Sequence, residues 1–190
     1  MKKISGDKKI GKVLLIFFVA VSLSAVIFFG GVSILKTLYP RHYSDFVEFY
    51  SKNNNLSEEF VYAVIECESG FDEKAESYLG AKGLMQIMPE TFFWLQQKFD
   101  EKLPEESLFE AEIAIKYGCY FYGMLLEQFS DEATAVAAYH AGAACVEGWL
   151  GDARYSDDGK TLKEIPYPTT AKYVERVMNI KKLYQKLYYK

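Results

Sequence analysis

With 190 residues, half of them apolar and 16% aromatic, the chain carries enough core-forming material for one folded domain, and disorder is excluded as its general state. Its net charge of −4 is unevenly spread: residues 1–12 hold five lysines and one aspartate, and the other 178 residues sum to −8. An acidic body excludes nucleic acid as the expected partner, since binding there depends on Lys and Arg displacing phosphate counterions.

The first element is a run without charge from Val13 to Leu35, broken only by serines and glycines. At 1.5 Å per residue such a helix reaches about 34 Å, enough for a hydrocarbon core of about 30 Å. Five lysines precede it and only Lys36 and Arg41 follow closely. That bias predicts residues 1–12 as a cytoplasmic tail, 13–35 as a single-pass anchor, 36–42 as a juxtamembrane linker and 43–190 as a domain outside. A cleaved signal peptide is the alternative, although its small-residue site at Ala20-Val21-Ser22 would be followed by still more apolar residues.

Beyond Pro40, apolar residues at Tyr43, Phe46, Val47 and Tyr50 predict a short amphipathic helix, ended by a turn at Asn53-Asn54-Asn55. Ser57 reads as the N-cap of the next helix, with Glu58 and Glu59 in its first turn and Ser69-Gly70 as its stop. Residues 71–88 lack periodicity and contain Gly80 and Gly83, which predicts a structured loop. Pro89 suits the first position of a helix to about Phe99. A very apolar helix is predicted from about Leu108 to Phe129 at the centre of the fold, behind a solvated acidic start at Glu105-Glu106. Another follows to about His140, capped by Asp131 or Ser130. Residues 150–164 are a polar surface excursion, and a last helix spans about Thr170 to Tyr188. The fold class is all-α, or nearly so.

Cys67, Cys119 and Cys145 form no CxxC pair and read as small buried hydrophobes. His140 has only His42 as a companion, so no histidine-based metal site can be built and no metal or cofactor is expected. Trp149 reads as a core anchor.

Glu68 continues the row of Phe60 and Val64 at i+4 spacing, and it sits in the last turn, where the helix dipole disfavours a carboxylate. Both effects raise its pKa and favour the protonated form that a general acid needs. A glutamate at a helix end can equally snorkel into water, and this helix alone leaves both readings open.

The residues that follow carry a longer pattern: Glu68-Ser69-Gly70-Phe71-Asp72, then Ala75 and Ser77, then Gly80 through Thr91, reading GAKGLMQIMPET. This stretch resembles the signature of the lysozyme-like lytic transglycosylases, departing from it at Glu73, where the family usually has proline. Gly118 to Phe129 resembles that family's next helix, with Phe121 for its usual tyrosine, Tyr122 for its usual leucine and Ala114 for a common asparagine further upstream. Ala138-Tyr139-His140-Ala141-Gly142 resembles its A-Y-N-A-G, with His140 for asparagine. Ile165-Pro166-Tyr167 and Tyr173-Val174 resemble its last segment, with Thr169 for glutamate.

The resemblance covers roughly residues 43–188. It implies a lysozyme-like fold, Glu68 as the catalytic acid and base, and Ser77 bonded near it. It also implies that Gln86, Met88, Tyr139 and Tyr173 are groove residues, and that Gly83 and Gly80 let backbone approach the glycan. The implied substrate is peptidoglycan and the implied product a 1,6-anhydro-muramic end, formed without water. A lysozyme-like hydrolase on the same fold, or a wall-binding module, is the alternative.

Overall fold

The computed structural model describes residues 4–129 and 131–189. Ser130 and the first three residues of the basic tail therefore lie outside the described residues. The chain divides into two compact units between Pro40 and Arg41, and each is described separately.

The first unit is a single helix, α1 (Ile4–Leu38). It extends well ahead of Val13, so the helical backbone runs through part of the basic tail as well as the apolar stretch. Phe17, Phe18, Ile27, Phe28 and Ile34 along its apolar stretch are exposed. Phe17–Leu38 is long and apolar enough to cross a membrane.

The second unit contains α2 (Ser44–Asn53), α3 (Glu58–Glu68), α4 (Pro89–Phe99), a 3₁₀ turn (Glu105–Phe109), α5 (Ala111–Phe129), α6 (Glu132–Ala141), α7 (Ala143–Leu150) and α8 (Pro168–Tyr188). Among the described residues there is no strand; two isolated bridges join Lys82 to Glu76 and to Ile87 within the loop before α4. The all-α expectation holds.

Three local expectations are corrected. Ser57 occupies the N-cap of α3 with extended backbone, but its hydroxyl caps nothing and is buried without a partner. The predicted helix over 108–129 is two elements, because Glu110 is extended (φ −91°, ψ 123°) and separates the 3₁₀ turn from α5. Glu105 is not merely solvated there: its carboxylate accepts from Lys82 Nζ at 2.9 Å. Helix α7 was not anticipated; Gly142 (φ +92°) breaks the chain from α6 and restarts it at Ala143, a reorientation too tight to leave a periodicity signal. By contrast, Asp131 caps α6 as expected, accepting from Thr134 N at 2.8 Å.

α5 shares the centre of the unit with α3, whose residues Phe60 to Ile65 are all buried. A helix apolar on every side needs neighbours all round. α8 covers α3 with Val174, Val177, Ile180 and Tyr184, and Tyr62 stacks on Tyr184 at 5.3 Å. α5 packs against α2 and α6. Cys119 is buried as expected, whereas Cys67 and Cys145 are half-buried; all three are free thiols. Trp149 is buried and meets Tyr167 edge-on at 5.0 Å.

Candidate active site

Phe60 and Val64, fully buried, lead along one row of α3 to Glu68, its last residue. The helix stops there because Gly70 adopts φ +58°, a conformation that costs a residue with a side chain about 1–2 kcal/mol. Ser69 then fastens the following loop to the helix end. Its hydroxyl donates to Leu84 O at 2.9 Å and accepts from Phe71 N at 3.2 Å. The loop is further keyed to its neighbours at two glycines, Gly83 against the 3₁₀ turn and Gly118 on α5. A Cβ on Gly83 would stand 1.9 Å from Leu108 O, and one on Gly118 would stand 2.2 Å from Met85 Sδ.

Burial pushes the Glu68 carboxyl up from its ordinary value of 4.5 to about 7, against the opposing effects of a hydrogen bond from Tyr173 and the Arg176 charge. Near neutrality the group is therefore divided between acid and carboxylate. Tyr173, on α8, donates its hydroxyl to Glu68 Oε1. The hydroxyl of Tyr122, on α5, lies 3.1 Å from that of Tyr173. Tyr122 stacks on Tyr139 of α6 at 4.0 Å with the rings 7° apart. Tyr139 completes the cluster by donating to Met85 O at 2.7 Å. Burial raises the pKa of all three phenols well above the usual tyrosine value, so they act as neutral hydrogen-bonding groups.

His140 packs its ring 4.6 Å from that of Tyr173, and its Nδ1 is 3.1 Å from Thr170 Oγ1. Burial lowers its pKa, which keeps the ring neutral. It thus meets Glu68 through Tyr173.

Glu68, Tyr139 and Tyr173 come together as one cluster. The other residues singled out from sequence lie on the loop or at its end. The Ser77 hydroxyl accepts from Ala81 N at 2.9 Å, closing its own turn. Gln86 (φ +48°) donates its side-chain amide to Ala75 O at 3.1 Å and Gly83 O at 3.0 Å, bracing the loop from inside. Gly83 is required by the close Leu108 carbonyl. Met88 stands half-buried at the N-cap of α4. Among the described residues no group of acidic, histidine or cysteine side chains could hold a metal ion.

Two site residues escaped the sequence reading. Arg176, whose charge acts on Glu68, follows Tyr173 by three positions on α8 and so shares its face. Tyr122 reads in the sequence only as a replacement for an apolar residue, and no spacing marks it as part of the site.

The family model described as the transglycosylase SLT domain matches residues 45–162. The chain is 33% identical over 149 residues to the soluble lytic murein transglycosylase of Salmonella typhimurium, a match covering 76% of this chain and 23% of that protein. It is 26% identical over 117 residues to the membrane-bound lytic murein transglycosylase C of Actinobacillus pleuropneumoniae, covering 56% of this chain and 32% of that protein. Among solved structures, an inactive glutamate-to-glutamine mutant of the lytic transglycosylase Slt from Pseudomonas aeruginosa superposes with a TM-score of 0.71 at 30% identity. That match covers 80% of this chain and 25% of the other. The chain thus spans about a quarter to a third of the length of these relatives. The family match extends over more than half of the chain, from α2 past α7, and the chain belongs to the transglycosylase SLT domain family.

Proposed function

We propose that this chain is a membrane-anchored lytic transglycosylase that cleaves the β-1,4 bond between N-acetylmuramic acid and N-acetylglucosamine in peptidoglycan. The observation that carries the reading is Glu68, a half-buried carboxyl brought to about 7 with a tyrosine donor on one oxygen.

Protonated Glu68 gives its proton to the glycosidic oxygen, and the bond from that oxygen to the muramic C1 breaks. Positive charge develops at C1 in an oxocarbenium-like state. Glu68, now a carboxylate, takes the proton of the muramic C6 hydroxyl as that oxygen bonds to C1. The products are a free 4-hydroxyl on one side and a 1,6-anhydro ring on the other, and no water enters. Tyr173 supports the carboxylate between the two proton transfers. Ser77, Gly83, Gln86, Met88 and Tyr139 are proposed to shape the glycan groove, the first three by holding the loop in form.

A hydrolase on this fold needs a second carboxylate, about 5 Å away to retain configuration or about 6.5–9.5 Å away to hold water. The groups that act on Glu68 are a tyrosine and an arginine. The nearby acids are turned to other partners: Glu73 accepts from Tyr43 OH at 2.8 Å, Asp72 from Lys74 N at 2.9 Å, and Glu76 lies 3.8 Å from Lys82 Nζ. Glu66, two positions from Glu68, points about 160° away around the helix.

The anchoring part rests on the exposed apolar stretch Phe17–Leu38 of α1, on the lysines ahead of that stretch, and on the membrane-bound relative. The catalytic unit would then face the wall. Digestion of purified sacculi with the detergent-solubilised chain should release muropeptides one water lighter than lysozyme products and resistant to borohydride at the muramic end. Mostly reducing ends would assign a hydrolase instead, and no release at all would leave a binding module.

A further inference from the structure

Tyr122 stands where the family pattern usually has leucine, and it brings a hydroxyl into a fully buried position. Its ring is fixed on both sides, edge-on to Phe60 at 5.0 Å and stacked on Tyr139 at 4.0 Å, so the hydroxyl has little choice of direction. Among the described residues the partner recorded for that hydroxyl is Tyr173 Oη, at 3.1 Å.

A phenol has one proton to give. Tyr173 gives its proton to Glu68 Oε1, so the proton in the bond between the two tyrosines comes from Tyr122. The chain therefore runs from Tyr122 to Tyr173 to Glu68. Running it the other way, with Glu68 donating to Tyr173 and Tyr173 to Tyr122, would leave the Tyr122 proton buried with no acceptor and incur the desolvation penalty of an unpaired donor. We propose that Tyr122 is a positioning residue of this site: by donating to Tyr173 it holds the Tyr173 proton on Glu68 Oε1, so that the transferable acid proton sits on Oε2. Without it, Tyr173 is free to turn and accept the Glu68 proton, which hides that proton from a substrate.

The part played in catalysis rests on the transglycosylase reading above; the hydrogen-bond chain itself does not. Glu68 also faces Arg176 and Tyr173 of α8 and Tyr139 of α6, with Glu66 and Cys67 on its own helix and His140 behind Tyr173. Tyr122→Phe keeps every one of these groups and the stacked ring, and removes a single oxygen.

The test is the titration of the Glu68 carboxyl carbon by NMR in the full chain in detergent, in wild type and Tyr122→Phe, with Glu68→Gln to assign the signal. Losing the chain weakens support for the carboxylate, so the midpoint should rise from about 7 by about half a unit to one unit, the equivalent of one ordinary hydrogen bond. The high-pH limb of kcat/KM should move by the same amount, and kcat should fall about threefold to tenfold with little change in KM. An unmoved Glu68 midpoint would overturn the proposal even if activity or melting temperature changed. In the wild type the Tyr122 Cζ resonance should move with the Glu68 titration, and a constant signal from pH 5 to 9 would overturn it equally. If the wild type cleaves no glycan, the transglycosylase reading fails while both NMR readouts still decide the chain.

Discussion

The hydroxyl of Tyr139 donates to the backbone carbonyl of Met85 at 2.7 Å, joining α6 to the loop that leads from Glu68 to α4. Met85 is itself buried, with its sulfur against Gly118 of α5, so this one bond fixes the loop at the point where three segments meet. Tyr139→Phe would leave the Met85 carbonyl unpaired at a cost of about 1–3 kcal/mol. Thermal unfolding followed by circular dichroism should show Tm lowered by about 2–12 °C; an unchanged Tm would mean the carbonyl has another partner.

Glu68→Gln should lower glycan cleavage by about 10²–10⁴-fold, since the amide cannot donate the proton. Its effect on stability should be opposite in sign. The folded-state pKa is raised by burial from 4.5 to about 7, so the folded chain binds more protons than the unfolded chain between those values, and the wild type loses stability as pH rises through that window. Above pH 7 the variant escapes that loss and should be more stable by on the order of 1–3 kcal/mol. Below about pH 4.5 the difference should vanish. Denaturant melts at pH 4 and pH 8 check this, and a variant less stable than wild type at pH 8 would contradict the burial argument.

Gly83 and Gly80 separate close packing from backbone conformation. Both have positive φ, +72° and +87°, but a Cβ on Gly83 meets the Leu108 carbonyl while one on Gly80 meets nothing within 4 Å. Gly80→Ala should cost about 1–2 kcal/mol from the backbone alone. Gly83→Ala adds a backbone clash and should be clearly worse, about 3 kcal/mol or more. Equal losses in paired denaturant melts would show that the Leu108 contact is not what demands glycine.

Topology is open to direct measurement. An enzymatic reporter fused after Pro40 should be active outside the cytoplasm, and the purified chain should keep its N-terminal lysines. A mature protein beginning near residues 23–30 would replace the anchor with a cleaved leader.

Much of this protein was legible from its amino acids alone, for reasons that are local. The Pro89 start of α4, the Asp131 cap of α6 and the Gly70 stop of α3 each depend on the backbone preference of a single residue, which no tertiary contact had to supply. The place of Glu68 on an apolar helical row was legible, but that row left a solvent-reaching glutamate equally open, and it was the longer pattern from Glu68 to Thr91 that singled it out. What only the tertiary structure decided is which side chains from distant segments converge on it. Tyr122, Tyr139 and Tyr173 lie on three different helices, and nothing in their spacing distinguishes them from the other tyrosines of the chain. The hydrogen bonds of Ser77 and Gln86 and the close contact of Gly83 were decided in the same way, by loop carbonyls and amides and by the Leu108 carbonyl, partners whose positions follow from packing. Sequence determined where the chain must turn and that a carboxyl ends an apolar row; packing of α3, α5, α6 and α8 determined that it is buried and what it can do, because a pKa and a hydrogen-bond direction depend on neighbours that only the fold brings close.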